Sequence, residues 1–392
     1  MLEELETVLQ QLADESRAVR TINLAGLSDL SRPQAAAVYA ALAALSARRR
    51  QEVVATMAEQ AEANVHLNFL AIMRECLNDA DAGVRKTAID GLWEDERPNL
   101  IAPLVRLLAE DPAVEVRAAA AISLARFALL GALGEIGEAY AERVEAAMRA
   151  AWFRADEAIE VRRRALEGLA YTDGEDINEI IETAYYHEND LMRQSALFAM
   201  GRTADRRWAR YVLRELESHD PGMRYEAAAA AGELALNAAV KPLIRLLEDA
   251  DSAVRETAAL ALGKIGGPAA RRALEACLDS SDHRLAEAAD EALDELIFNS
   301  EPLDAPLFDY RPGPRAVRLD EDEELEDEFD DEFADDEFAD ELAEDEFGDY
   351  SAEDDEDWSD EGEFDEESDW AEEEEGDDED ELEEDEAWSR WR

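Results

Sequence analysis

The sequence predicts an all-α protein: an α-solenoid of about nine two-helix repeats with a period of about 31 residues, followed by a disordered acidic tail. Three observations predict it. Apolar anchors recur in phase along the first three quarters of the chain, no run sustains the period-two alternation of a strand, and the acidic charge is concentrated at one end.

The clearest unit is Asp251-Ser252-Ala253-Val254-Arg255-Glu256-Thr257-Ala258-Ala259-Leu260-Ala261-Leu262-Gly263-Lys264-Ile265-Gly266. Its pattern is an apolar anchor with a basic neighbour, small residues four and seven positions on, and an apolar residue eight on. The pattern returns at Val161-Arg162, Met192-Arg193 and Met223-Arg224, and at Leu285 with Ala286 in the basic position. Anchors at 161, 192, 223, 254 and 285 are 31 residues apart each time. Earlier copies at Val19-Arg20, Val84-Arg85 and Val116-Arg117 are looser, and a degenerate one lies around Arg49, Val53 and Met57. The 45 residues from Val116 to Val161 imply an insertion near Leu130–Arg149, a stretch that contains Gly131, Gly134 and Gly137.

Each unit holds two helical patterns. The first, such as Asn237–Leu247, has apolar residues at three- and four-residue spacing, and the second is Ala-rich, which lets neighbouring helices approach closely. Asp111-Pro112, Asp220-Pro221-Gly222 and Gly266-Gly267-Pro268 punctuate the joints. The form D-x-x-V-R-x-x-A-A-x-A-L-G-x-I-G resembles the HEAT repeat, in the short class first recognised in phycobilisome lyases. The resemblance covers roughly residues 1–298, and Asn23 and Leu285-Ala286 depart from it.

The Arg beside each anchor (Arg20, Arg85, Arg117, Arg162, Arg193, Arg224, Arg255) is expected to bridge carboxylates and helix-end carbonyls of adjacent repeats, a structural ladder rather than a ligand site. An Asp stands three residues before several anchors, at Asp81, Asp220, Asp251 and Asp282. Partner binding is expected on the concave face lined by the second helices. Positions two, three, six and ten after the anchor should reach it, which selects Arg126, Arg163, Arg164, Tyr171, Phe198, Arg202 and Tyr225, with Lys86 and Lys264. Acids mix with them, among them Glu167, Glu226 and Glu233. Arg and aromatic side chains are the residues enriched at protein-recognition surfaces. Trp93, Trp152 and Trp208 read as packing residues.

Residues 301–392 hold 48 acids and 5 Arg, leaving 52 acids and 33 bases in residues 1–300. A surface built for phosphate contacts needs clustered cations, so direct nucleic-acid binding is excluded from the reading. Residues 299–318 read as a Pro-rich linker, and 319–392 as a disordered acidic tail without Lys. Aromatics recur in that tail, with Phe329, Phe333, Phe338, Phe347, Trp358, Trp370, Trp388 and Trp391 as its expected binding residues for a basic partner. The tail could also fold back on Arg126, Arg163, Arg164 and Arg202 and autoinhibit the groove by charge complementarity.

No enzyme constellation stands out. His66, His187, His219 and His283 lie in separate repeats, without the spacing of a closed metal site. HEAT-like deoxyhypusine hydroxylases hold two irons with repeated His-Glu pairs, whereas this sequence has the single pair His187-Glu188. Cys76 and Cys277 read as reduced core residues of a cytoplasmic protein. No signal peptide or membrane span is expected. The reading is therefore a non-enzymatic, monomeric protein-protein interaction scaffold without cofactor or metal. Its alternatives are an enzyme or subunit related to bilin lyases or hydroxylases, and a chaperone for basic nucleic-acid-binding proteins.

Overall fold

The computed structural model describes residues 2–19, 24–172, 174 and 176–300, with side-chain surroundings given from 7 to 296. Arg20, the Pro-rich linker from 301 onward and all the tail aromatics lie outside the described residues. The chain divides into two units, Met1–Tyr310 and Arg311–Arg392, and the described helices all belong to the first.

Helix α1 (Leu2–Ala13) and a short 3-10 turn (Ala25–Leu27) precede eight helix pairs among the described residues. The pairs are α2 (Arg32–Leu42) with α3 (Ala47–Ala63), α4 (Leu70–Cys76) with α5 (Ala82–Asp90), α6 (Ile101–Glu110) with α7 (Val114–Ala132), and α8 (Glu138–Phe153) with α9 (Ile159–Leu169). They continue as α10 (Ile177–Tyr185) with α11 (Asp190–Arg202), α12 (Ala209–Glu215) with α13 (Pro221–Glu233), α14 (Val240–Leu246) with α15 (Ser252–Ile265), and α16 (Pro268–Cys277) with α17 (His283–Ser300). No strand occurs among the described residues.

The second helices stack in order, α3 on α5, α7, α9, α11, α13, α15 and α17; each first helix from α4 onward packs on its own partner, whereas α2 packs on α4. The anchors drive this stacking. Val84, Val116, Val161, Met192, Met223 and Val254 are all 1% exposed or less, so each second helix buries its apolar stripe between the neighbouring pairs. Short polar side chains start the helices: Asp81 accepts from the Val84 N–H, Asn189 from Met192, Asp220 from Gly222 and Asp251 from both Ala253 and Val254. Between α15 and α16 the backbone takes φ +74° at Gly266 and +92° at Gly267, and Pro268 opens the next helix.

Close stacking requires glycine nine residues after the anchor. At Gly201, Gly232 and Gly263, again 31 residues apart, an added Cβ would stand 2.9 Å from Ala230 Cα, 3.0 Å from Ala261 Cα and 2.7 Å from the Ala292 carbonyl oxygen. An exposed helical Gly→Ala change stabilises by about 1 kcal/mol. Here the sign should reverse. Gly263→Ala is expected to lower stability by about 1–3 kcal/mol in urea denaturation, because backbone and not a flexible side chain must yield. A neutral or stabilising result would show that α15 and α17 can separate without loss.

The expected insertion near Leu130–Arg149 is taken up largely by long helices, since α7 runs 19 residues and α8 runs 16. Gly131 lies within α7, where a Cβ would be 2.8 Å from Ala141 Cβ, and Gly134 turns the chain at φ +72°. Trp152 and Trp208 are buried in the core, whereas Trp93 is 40% exposed. Cys76 and Cys277 are buried free thiols, and burial pushes the Cys76 thiol up to about 12.

Candidate protein-interaction surface

The arginine beside the anchor makes the same three-way contact in four repeats. Arg85 donates to both Asp111 carboxylate oxygens at 2.7 and 2.8 Å and to the Asp79 carbonyl at 2.8 Å. Arg224 repeats this with Asp249 at 2.8 Å twice and with the Ser218 carbonyl at 2.9 Å. Arg117 uses Glu157 and the Asp111 carbonyl, and Arg255 uses Asp282 and the Asp249 carbonyl. Asp79, Asp111 and Asp249 stand five residues before the next anchor, whereas Asp81, Asp220 and Asp251, three before, are N-caps. The charges support one another: hydrogen bonding to Asp111 raises the pKa of Arg85. Burial pushes the Asp249 carboxyl up, and the Arg224 fork together with the Asp251 N–H and the charge of Arg255 more than offsets it, leaving the net shift downward.

Arg162 and Arg193 depart from this ladder. At the position five before the next anchor stand His187 for Arg162 and Ser218 for Arg193, and among the described residues neither Arg pairs with Glu188 or Asp220, at the positions where Arg117 finds Glu157 and Arg255 finds Asp282. Arg162 instead donates to the Trp152 carbonyl at 3.1 Å and stacks over the Trp152 ring at 5.0 Å. Arg193 pairs within its own helix with Asp190. A further rung, Arg50 to Asp79, was hidden because the anchor before it is Arg49, itself buried and donating to the Leu12 carbonyl at 3.0 Å.

The second-helix layer carries its polar cluster where the ladder lapses, on α9, α11 and α13. Arg163 and Arg164 both pair with Glu160 and Glu167, and the Ser195 hydroxyl donates to Glu167 at 2.5 Å. Arg202 lies 5.2 Å over the Phe198 ring and 3.5 Å from Glu233, which also meets Lys264 at 2.6 Å, so three successive repeats are joined at position ten after the anchor. Tyr171, Phe198 and Tyr225 are partly buried at this layer. Burial and the neighbouring Glu167 push the Glu226 carboxyl up to about 8, against the pull of Arg202, Arg163 and Arg164. Glu226 keeps a partly exposed edge in spite of that desolvation. Glu167 is also raised, by burial first, with its arginines and Ser195 opposing.

Two expected groove residues are placed differently. Arg126 is 7% exposed and reaches back to cap the preceding repeat, donating to the Leu92 carbonyl at 3.2 and 3.3 Å and the Asp95 carbonyl at 3.0 Å. Burial lowers its pKa to about 10. Arg164 is 4% exposed, held by its two carboxylates. Helix position alone could not separate these from surface residues, because a long Arg can turn inward toward an open carbonyl or carboxylate. Glu226 is the functional-site candidate whose character composition could not show, since its raised carboxyl depends on what α9 and α11 place beside it.

Residues 70–152 and 210–294 match the family of HEAT repeats. These two stretches carry HEAT repeats. The stretch between the two matches holds α9, α10 and α11, the HEAT-like segment in which both Arg162 and Arg193 lose their carboxylates. Among solved structures the chain is similar to the Escherichia coli protein YibA at 15% identity, covering 74% of this chain and 96% of that one with a TM-score of 0.40. It is similar to the complex of CpcE and CpcF of phycocyanin lyase from Nostoc, at 17% identity over 68% and 95% of the chains, TM-score 0.43. Human deoxyhypusine hydroxylase is similar at 19% identity over 76% and 96%, TM-score 0.26. Comparison with curated proteins gave no match.

His187, half of the single His-Glu pair, has its Nδ1 accepting from the Asn189 N–H at 3.0 Å in the turn before α11. Among the described residues no three His, Cys, Asp or Glu side chains are grouped so as to hold a metal ion, and no helix is long and apolar enough to cross a membrane.

Proposed function

We propose that this HEAT-repeat protein is a non-enzymatic scaffold that binds protein partners on the second-helix layer across α9, α11 and α13. The observation that carries the reading is the Phe198–Arg202–Glu233–Lys264 row beside Tyr225 and Tyr171. Aromatic and Arg side chains are held there by packing and ion pairs, so little rotamer freedom remains to be lost on binding. Because Arg126, Arg163, Arg164 and Arg202 already have carboxylate or carbonyl partners, the acidic segment 319–392 is proposed to engage basic clients rather than this layer.

Affinity purification tests both parts. Phe198→Ala with Arg202→Ala is expected to reduce recovery of the main partner about tenfold while the variant stays folded at the assay temperature by circular dichroism. Removing residues 319–392 is expected to lose basic proteins whose capture falls with added salt. Recovery of the same partners in the same amounts by all variants would remove the proposal.

A further inference from the structure

The opposite layer, built by the first helices, carries a second surface. Tyr185 and Tyr186 at the end of α10 and Trp208 and Tyr211 at the start of α12 form one aromatic cluster. Ring centroids lie 5.1 Å apart for Tyr185–Tyr186, 5.0 Å for Tyr185–Tyr211 and 5.5 Å for Trp208–Tyr211, mostly edge to face. Tyr186 is 65% exposed. Arg206, in the 3-10 turn Arg206–Trp208 that leads into α12, and Arg210 and Arg214 on α12 follow at four-residue spacing, all exposed. The Arg210 guanidinium lies 4.7 Å over the Tyr211 ring and that of Arg214 lies 5.8 Å over Tyr185.

The electrostatics of this patch run against the composition. Acids outnumber bases 100 to 38 in the chain, yet neither Arg206 nor Arg210 has a carboxylate within 4.0 Å among the described residues. The carboxylates nearby are engaged elsewhere. Glu182 accepts from the Tyr211 hydroxyl at 2.8 Å, buried Glu215 accepts from Tyr185 at 2.5 Å and meets Arg214 at 3.2 Å, and Asp205 pairs with Arg207. Arg210 also donates to the Tyr211 hydroxyl at 2.9 Å, which orients its guanidinium and leaves its remaining N–H groups to grip a carboxylate.

We infer that Arg206, Arg210 and Arg214 with the Tyr185–Tyr186–Tyr211 cluster form a docking surface for a short acidic protein segment that carries aromatic residues. The arginines would take its carboxylates and the exposed tyrosine its rings. Three cations are too few for the phosphate contacts of a nucleic-acid site in a chain of net charge −62, but they suffice for a short motif. This surface is independent of the one on the second-helix layer, so failure of either leaves the other standing.

The test is fluorescence anisotropy of a labelled 22-residue peptide with the sequence of residues 325–346, which places phenylalanines at 329, 333 and 338 among acids. Titrated with the full chain at low salt, it is expected to bind, with Arg206→Glu/Arg210→Glu weakening it at least about tenfold. Arg271→Glu/Arg272→Glu changes the net charge equally at exposed positions of α16 and is expected to weaken it less than about threefold. A peptide with the three phenylalanines changed to serine should bind several-fold more weakly. Equal losses in the two double variants would mean that only the overall field is sensed, and equal binding of the serine peptide would mean that the tyrosines take no part. Either result, or no binding both to the wild-type chain and to the chain lacking residues 319–392, which removes the competing copy of the probe sequence, overturns the proposal.

Discussion

Arg85→Ala should lower the stability of the repeat unit by about 3–5 kcal/mol, the usual loss when one partner of a buried ion pair is removed. The reason lies in what remains. The Asp111 side chain is 4% exposed, and without Arg85 it would keep a single described donor, the Ala113 N–H at 3.0 Å. The Asp79 carbonyl would lose its contact in the same step. Arg193→Ala should stay within about 1 kcal/mol, because the Arg193 side chain is 38% exposed and its ion pair with Asp190 is a surface pair. Urea denaturation of both variants decides the matter. The second change Asp111→Asn, which keeps an acceptor for Ala113 but removes the stranded charge, should recover a large part of the Arg85→Ala loss. Equal effects of Arg85→Ala and Arg193→Ala would show that the rungs are not what ties the repeats together.

The contrast between these two arginines also marks how far sequence reading extends. The period of 31, the helix pairs and the buried anchors follow from local pattern, because a stacked repeat must present the same apolar positions each time. The rungs depend on two residues in different repeats. A basic residue beside each anchor was visible, but its fate is decided across the joint, where the carboxylate it meets stands five (Asp79, Asp111, Asp249), four (Glu157) or three (Asp282) residues before the next anchor. Arg126 shows the same limit in the candidate site. Its place on α7 pointed outward by count, and the open carbonyls of Leu92 and Asp95 drew it inward. The long spacing from Val116 to Val161 was legible as extra chain, while its form as extended helices depended on Gly131 permitting α7 and α8 to meet.

Glu226→Gln should make the repeat unit less sensitive to rising pH, by about 2–4 kcal/mol between pH 5 and pH 9. Burial and the charge of Glu167 raise the Glu226 carboxyl to about 8 from an ordinary 4.5, so between those values the folded chain holds a proton that the unfolded chain has released. Stability from that proton is fully present below about pH 4.5 and is lost as pH rises through about 8. Glutamine cannot ionise, so the variant and the wild type should coincide in acid and separate in base, with the variant the more stable. Repulsion within a chain of net charge −62 destabilises both proteins as pH rises and largely cancels in the comparison. Arg202→Met provides the opposite arm. Arg202 holds the Glu226 carboxyl down against the other influences, so its removal should steepen the loss of stability toward pH 9. Denaturation midpoints across this range that run parallel in wild type and Glu226→Gln would mean that α9, α11 and α13 leave enough water at Glu226 to keep it an ordinary surface carboxylate. The polar cluster of the proposed binding layer would then be a solvated surface, without the desolvated centre that strong protein recognition requires.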